Sequence, residues 1–137
     1  ALIRQESAFT PAIRSSAGAI GLMQVMPATG REVARGAGID GFTSLSLETP
    51  EINLHLGTRY LIAMEDRYGE TGLPLVLSAY NAGPTRASRW RNFSEAKDIL
   101  RFTERIPFEE TRGYVKSVVR NIHIYRFLYE LEVQGAH

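Results

Sequence analysis

At 137 residues the chain has room for one domain with a real core and too little for two. Hydrophobic residues make up 44% and charged residues 23%, the balance of a globular protein, which excludes a disordered chain. A formal net charge of +1 lacks the basic excess of a nucleic-acid binder, and the absence of cysteine excludes disulfides and thiolate metal sites. No apolar run approaches the length of a membrane span, and no segment reads as a signal peptide. The chain opens at Ala1, without an initiator methionine and inside an expected helix. The expectation is a processed or excised piece of a longer protein.

The first element places one carboxylate, Glu6, in an apolar segment formed by Ala1, Leu2, Ile3 and Phe9. Pro11 keeps the helix from continuing, because the residue before a proline is pushed out of the α region. Glu6 is therefore expected at a helix C-terminal end, where the helix dipole favours cations and gives an acid nothing. Desolvation by apolar neighbours would raise its pKa and let it hold a proton near neutral pH, as a general acid must. By itself the position fits a surface acid at a helix end just as well.

Small residues and two glycines then run from Ser15 to Pro27, which suits a tight backbone passing close to something. A helix is expected from Pro27 to Ala34, followed by a loop at Gly36, Gly38 and Gly41 and a link over Thr43–Leu47. Thr49, Pro50 and Glu51 mark the next helix start. Ile52, Leu56, Tyr60, Ala63 and Met64 recur at helical spacing as one buried face until Gly69. His55 on this helix reads as a packing or surface residue. No His-x-x-x-His pair exists, so no metal site is expected.

Leu73–Tyr80 reads as a short apolar helix stopped by Asn81-Ala82-Gly83-Pro84. A further helix is expected over Thr85–Arg91, where Arg86, Arg89 and Arg91 flank Trp90 as a solvated basic face. Glu95–Glu104 reads as an amphipathic turn or two. Pro107 opens the last and longest helix, with Glu109 and Glu110 in its first turn. Tyr114, Val115, Val118, Val119, Ile122, Tyr125 and Tyr129 give it a broad apolar face. It should end near Leu131, leaving 132–137 as a tail. The expected class is all-α, a single domain over 1–137, with room for a small β hairpin near Ser15–Gln24.

Four separated stretches carry a resemblance. They are Glu6-Ser7, Gly21-Leu22-Met23-Gln24-Val25-Met26-Pro27, Ala79-Tyr80-Asn81-Ala82-Gly83, and Ile106-Pro107-Phe108-Glu109-Glu110-Thr111-Arg112-Gly113-Tyr114-Val115. In this order and spacing they closely resemble the catalytic domain of the soluble lytic murein transglycosylases, which have a lysozyme-like fold. The likeness runs from Ala1 to about Tyr129.

The resemblance implies an enzyme that cleaves the β-1,4 bond between N-acetylmuramic acid and N-acetylglucosamine in peptidoglycan. Its product is a 1,6-anhydromuramyl end. It also implies a periplasmic or cell-envelope setting, glycan strands as the partner, and no cofactor or metal. Glu6 matches the family's catalytic acid/base, while Ser15, Gln24, Met26, Tyr80, Asn81, Glu110 and Tyr114 match groove-lining positions.

The residue types agree with that chemistry. Most glycosidases use two carboxylates, but a substrate-assisted enzyme needs one. Asn81 and Gln24 offer both donors and acceptors for acetamido groups and hydroxyls. Tyr80 and Tyr114 suit hydrogen bonding by their phenols, or a plain core. Met23 and Met26 suit an apolar wall that raises the pKa of Glu6, or equally an ordinary place in the core. A hydrolase on the same fold, which releases a reducing end, and a non-catalytic glycan-binding module are the alternatives.

Overall fold

A computed structural model of the chain describes residues 1–134. Seven helices follow one another: α1 Leu2–Ser7, α2 Pro27–Gly36, α3 Pro50–Tyr68, α4 Leu73–Ala82, α5 Pro84–Trp90, α6 Ile99–Arg105 and α7 Glu109–Gln134. A 3-10 turn covers Ser44–Glu48. No strand forms among the described residues, and no helix there is long and apolar enough to cross a membrane.

Local chemistry sets most helix starts. α2, α3, α4 and α5 each carry a proline in their first two positions, where the missing N–H costs nothing. α6 is capped by Asp98, whose Oδ1 accepts from the backbone N–H groups of Leu100 and Arg101, both at 3.1 Å. α1 ends where Ala8 and Phe9 take left-handed backbone angles, φ 47° and φ 64°, turning the chain toward Pro11.

Several boundaries differ from the sequence expectation. α2 runs to Gly36, because a glycine inside a last turn is only mildly unfavourable. α4 continues to Ala82, so Asn81 lies within its last turn and Gly83, at φ 90°, makes the break. α6 starts only at Ile99, after Asp98 supplies the cap. α7 extends to Gln134, past the expected end at Leu131, and residues 135–137 lie outside the described residues. The apolar face of α7 is buried at Val115 and Val118 and fades outward, leaving Tyr129 61% exposed. Ala63 is on the exposed side of α3, not its buried face.

The expected hairpin is absent. Arg14 with Ile20 and Ile20 with Val25 meet only as isolated bridges. The turn between them is held instead by Asn53 on α3, whose carboxamide bonds to the Ile20 and Leu47 carbonyls and to the Met23 N–H.

Two apolar clusters make the core. One packs α3, α4, α5, α6 and α7 around Tyr68, Leu75, Val76, Trp90, Phe102 and Val115. The other gathers Ile20, Met23, Val25, Ala34, Leu47, Leu56 and Tyr80 under the loop side. α4 is buried from Pro74 to Tyr80 and packs against α3, α5 and α7, so its end is fixed where the two clusters meet. The basic residues of α5 stay outside: Arg86 lies over the Phe108 ring, 4.9 Å from its centroid, while Trp90 turns inward.

Candidate active site

Glu6 is the penultimate residue of α1, and it faces inward because α1 packs against α7. Tyr114, buried on α7, donates its phenol to Glu6 Oε1 at 2.6 Å. Burial pushes the Glu6 carboxyl up from 4.5 to about 7, and the Tyr114 bond, which favours the carboxylate, only partly opposes it. The same burial, with the Glu6 charge nearby, holds the Tyr114 and Tyr80 phenols far above the ordinary range, so both stay protonated donors.

Glu6 opens into a cleft of about 360 Å³. Ser15, Gln24, Met26, Tyr80, Asn81 and Glu110 all line it, drawn from the N-terminal loop, from α4 and from α7. Tyr114 reaches the same place from behind, through its bond to Glu6. A roomier groove, about 900 Å³ between α6 and α7, contains none of these residues.

Each side chain has a local reason for its place. Ser15 Oγ accepts from the Ala19 N–H at 3.0 Å, closing the small-residue turn. Gln24 has φ 47°, uncommon for a residue with a Cβ, and its Nε2 donates to the carbonyls of Ile13 and Gly21. Met26 precedes the first residue of α2 and remains 42% exposed at the cleft edge. The Tyr80 hydroxyl donates to the Met23 carbonyl at 2.8 Å, within the loop-side cluster. Asn81 Oδ1 accepts from Thr111 Oγ1 at 2.8 Å, which leaves its amide N–H groups for a ligand. Glu110, in the first turn of α7, is exposed on the cleft wall.

Met23 does not form the apolar wall beside Glu6. Its side chain is buried in the loop-side cluster and sits against Gly57, and the cleft is bordered by Met26 and Val25. Side chains that the sequence reading left without a role also take part. Tyr60 of α3 lines the cleft with its ring tilted onto Tyr80, centroids 5.2 Å apart, and Thr29 joins the floor. Thr111 holds Asn81 from within a motif already singled out. Tyr60 had only the signal of a phenol on an apolar helix face, which a core tyrosine shares. His55 is exposed and accepts from Arg59 Nε at 3.1 Å. No group of residues able to hold a metal ion occurs among the described residues.

Comparison with known proteins places this arrangement. Residues 1–102 match the family model described as the transglycosylase SLT domain. Residues 105–133 match one described as the soluble lytic transglycosylase helical domain. The soluble lytic murein transglycosylase of Escherichia coli K12 is 42% identical over 129 residues, 93% of this chain and 20% of that protein. A membrane-bound lytic murein transglycosylase C of Actinobacillus pleuropneumoniae is 34% identical, over 85% of this chain and 38% of that protein.

Among solved structures, the 70 kDa soluble lytic transglycosylase of Escherichia coli superposes with a TM-score of 0.84 at 40% identity, over 93% of this chain and 21% of that one. An inactive mutant of the lytic transglycosylase Slt from Pseudomonas aeruginosa gives 0.75 at 39% identity, over 83% and 18%. The chain thus spans about a fifth of the length of the soluble curated relative, 20% in the Escherichia coli K12 protein. The helical architecture is the lysozyme-like one shared with these structures. With 102 of its residues matched by one model and a 42% identical relative covering nearly all of it, the chain belongs to the transglycosylase SLT domain family.

Proposed function

We propose that this chain is the catalytic domain of a peptidoglycan lytic transglycosylase, acting in the periplasm or cell envelope. It cleaves the β-1,4 bond between N-acetylmuramic acid and N-acetylglucosamine and leaves a 1,6-anhydromuramyl end. The observation that carries the reading is Glu6: one carboxyl with its pKa raised to about 7, bonded to Tyr114, in a cleft whose walls offer amides and phenols to a sugar. Its family relatives bear the name lytic murein transglycosylase, and one solved relative is an inactive glutamate-to-glutamine mutant.

The reaction needs no water. Protonated Glu6 donates to the glycosidic oxygen as the C1–O bond breaks, and the N-acetylglucosamine side leaves as an alcohol. The carbonyl oxygen of the muramyl 2-acetamido group attacks C1 and forms a cyclic oxazolinium, the substrate-assisted route. Glu6, now a carboxylate, takes the proton from the C6 hydroxyl, and O6 displaces the acetamido oxygen from C1. The anhydro ring closes and Glu6 is protonated again. Nucleophile and electrophile sit in one sugar, so little orientational freedom remains to be lost. A pKa near 7 suits a residue that must act as acid and then as base.

In this scheme Gln24 and Asn81 hold acetamido groups and hydroxyls, Ser15 and Met26 border the strand, and Tyr80 orients the reacting sugar. Tyr114 fixes the Glu6 rotamer. Glu110 orients the acetamido group or its hydrogen-bond network.

Hydrolysis is the second reading, favoured by one observation: Glu110 is another carboxylate on the cleft wall. Mass spectrometry of the products from purified peptidoglycan separates the two. The anhydro product is lighter by one water than the reducing-end product. Only reducing ends would sink the transglycosylase reading and keep the cleft as a hydrolase site.

A further inference from the structure

We propose that Asn53, on the inner face of α3, is a positioning residue for the cleft. Its carboxamide holds the Gly21–Val25 turn in the shape that presents Gln24 and Met26 to the glycan. The inference rests on the glycan-cleaving reading above.

Asn53 is fully buried, with 0% exposure. Its Oδ1 accepts from the Met23 N–H at 2.8 Å, and its Nδ2 donates to the Ile20 and Leu47 carbonyls, each at 2.8 Å. Both amide hydrogens are therefore used on main-chain carbonyls. Buried backbone groups need partners. Ile20 and Val25 bond each other through both main-chain groups, and Gly21 donates to Ile13. Asn53 serves the Met23 N–H and the Leu47 carbonyl, and adds a second bond to the Ile20 carbonyl.

The surrounding glycines show how closely the turn is seated. Gly21 has φ +82°, and a Cβ there would run into the Asn53 amide and the Leu47 carbonyl. One helical turn beyond Asn53, a Cβ on Gly57 would overlap the Cβ and Sδ of Met23. Asn53 and Gly57 are four residues apart and so share a face of α3. One grips the turn and the other makes room for it.

The consequence reaches both sides of the cleft. Met23, whose N–H is held by Asn53, accepts the Tyr80 hydroxyl on its carbonyl. The next residue is Gln24, at φ 47° and bonded back to Ile13 and Gly21. Glu6 lies off this path, held by Tyr114 of α7. The clamp therefore governs how the strand is seated and leaves proton transfer alone.

Gly57→Ala and Asn53→Ala test it together. Alanine is the better helix former, so Gly57→Ala keeps α3 while pushing Met23 away. With solubilised glycan strands as substrate, Gly57→Ala should raise KM about tenfold, the scale of one or two lost hydrogen bonds. It should change kcat less than about threefold and leave the alkaline limb of the kcat profile in place. A folded Gly57→Ala protein with wild-type KM, or with a displaced pH limb, overturns the proposal.

Amide hydrogen exchange at Met23, without substrate, is the second measurement. It should speed up in Asn53→Ala, and an unchanged rate overturns the clamp whatever the enzyme does. Product release by the wild type is read separately, and its failure strikes the glycan-cleaving reading alone.

Discussion

The two apolar clusters that meet at the cleft are held by different means. The cluster around Tyr68, Leu75, Trp90, Phe102 and Val115 is helix against helix. Helices satisfy their own backbone groups, so apolar faces suffice to bury them. In the cluster around Ile20, Met23, Val25 and Leu47, the first three come from irregular chain and Leu47 from the 3-10 turn. The backbone there pairs only at the isolated Arg14–Ile20 and Ile20–Val25 bridges and leans on side chains as well: Asn53 on Met23, Ile20 and Leu47, Gln24 on Ile13 and Gly21, and Tyr80 on Met23. An irregular segment that needs side-chain partners can place polar groups where a regular helix has no reason to. The cleft-lining residues of the loop side follow from that need.

Five experiments act on this contrast, beginning with the largest effect. Glu6→Gln keeps shape and hydrogen bonding but cannot lend a proton. Release of anhydromuropeptides from sacculi should fall by about 10⁴, the upper end of general acid–base assistance, because in the proposed scheme one residue serves both steps. Near-normal release by the folded variant would remove Glu6 from the mechanism.

Phe102→Ala attacks the helix-packed cluster instead. Phe102 is 1% exposed, and its loss should cost about 3–5 kcal/mol of stability. Chemical denaturation measures that cost, and release per folded molecule should stay at the wild-type level. A specific activity that fell with it would show that the two clusters are not separable.

The third experiment concerns stability against pH. The Glu6 carboxyl is at about 7 in the folded chain and near its ordinary 4.5 when unfolded. Below 4.5 both states are protonated, and burial of the acid is not penalised. As pH rises from about 4.5 to about 7 the unfolded chain gives up its proton first, so the stability contributed by the neutral group is lost through that window. The loss should be on the order of 3 kcal/mol. Thermal melts of the wild type and Glu6→Gln across this range should converge at low pH and part above it, with the variant the more stable. Parallel curves would mean that Glu6 is not desolvated.

Tyr114→Phe removes the phenol that favours the Glu6 carboxylate. The Glu6 pKa should rise further and carry the alkaline limb of the rate profile upward. The rate at its optimum should fall about tenfold, the worth of one charge-assisted hydrogen bond to a positioned group. A limb that moved down would mean the phenol does not stabilise the charged form. The smallest effect belongs to Arg14→Ala. Arg14 pairs with Glu48 at 2.5 Å on the surface of the loop side, and exposed pairs contribute little. Stability should change by less than about 0.5 kcal/mol. A larger loss would mean that ion pairing, along with Asn53, holds that region.

The legible part of the fold follows from local rules. Pro27 and Pro50 mark two helix starts, and the period of Leu56, Tyr60 and Met64 marks the inner face of α3. The helix ends were less legible, since Gly36 and Ala82 are tolerated in a last turn and only packing decides whether they join it. The hairpin allowed for near Ser15–Gln24 shrinks to the isolated Arg14–Ile20 and Ile20–Val25 bridges, and Asn53, thirty residues on from Met23, bonds the turn from α3. Met23 stayed open between cleft wall and core for a tertiary reason. Its apolar side chain suits either a cleft wall or a core, and Gly57 opens the space that draws it into the core.

By itself the sequence determined an all-helical domain and, through four motifs, the residues to inspect. Helix propensity, capping and apolar period act over a few residues, so they can be read along the chain. Only the tertiary structure decided that Glu6 is desolvated, that Tyr114, 108 positions away, donates to it, and that Tyr60 and Thr29 share its cleft. Burial and hydrogen-bond pairing between distant residues depend on how α1, α4 and α7 pack together, and no local pattern encodes that.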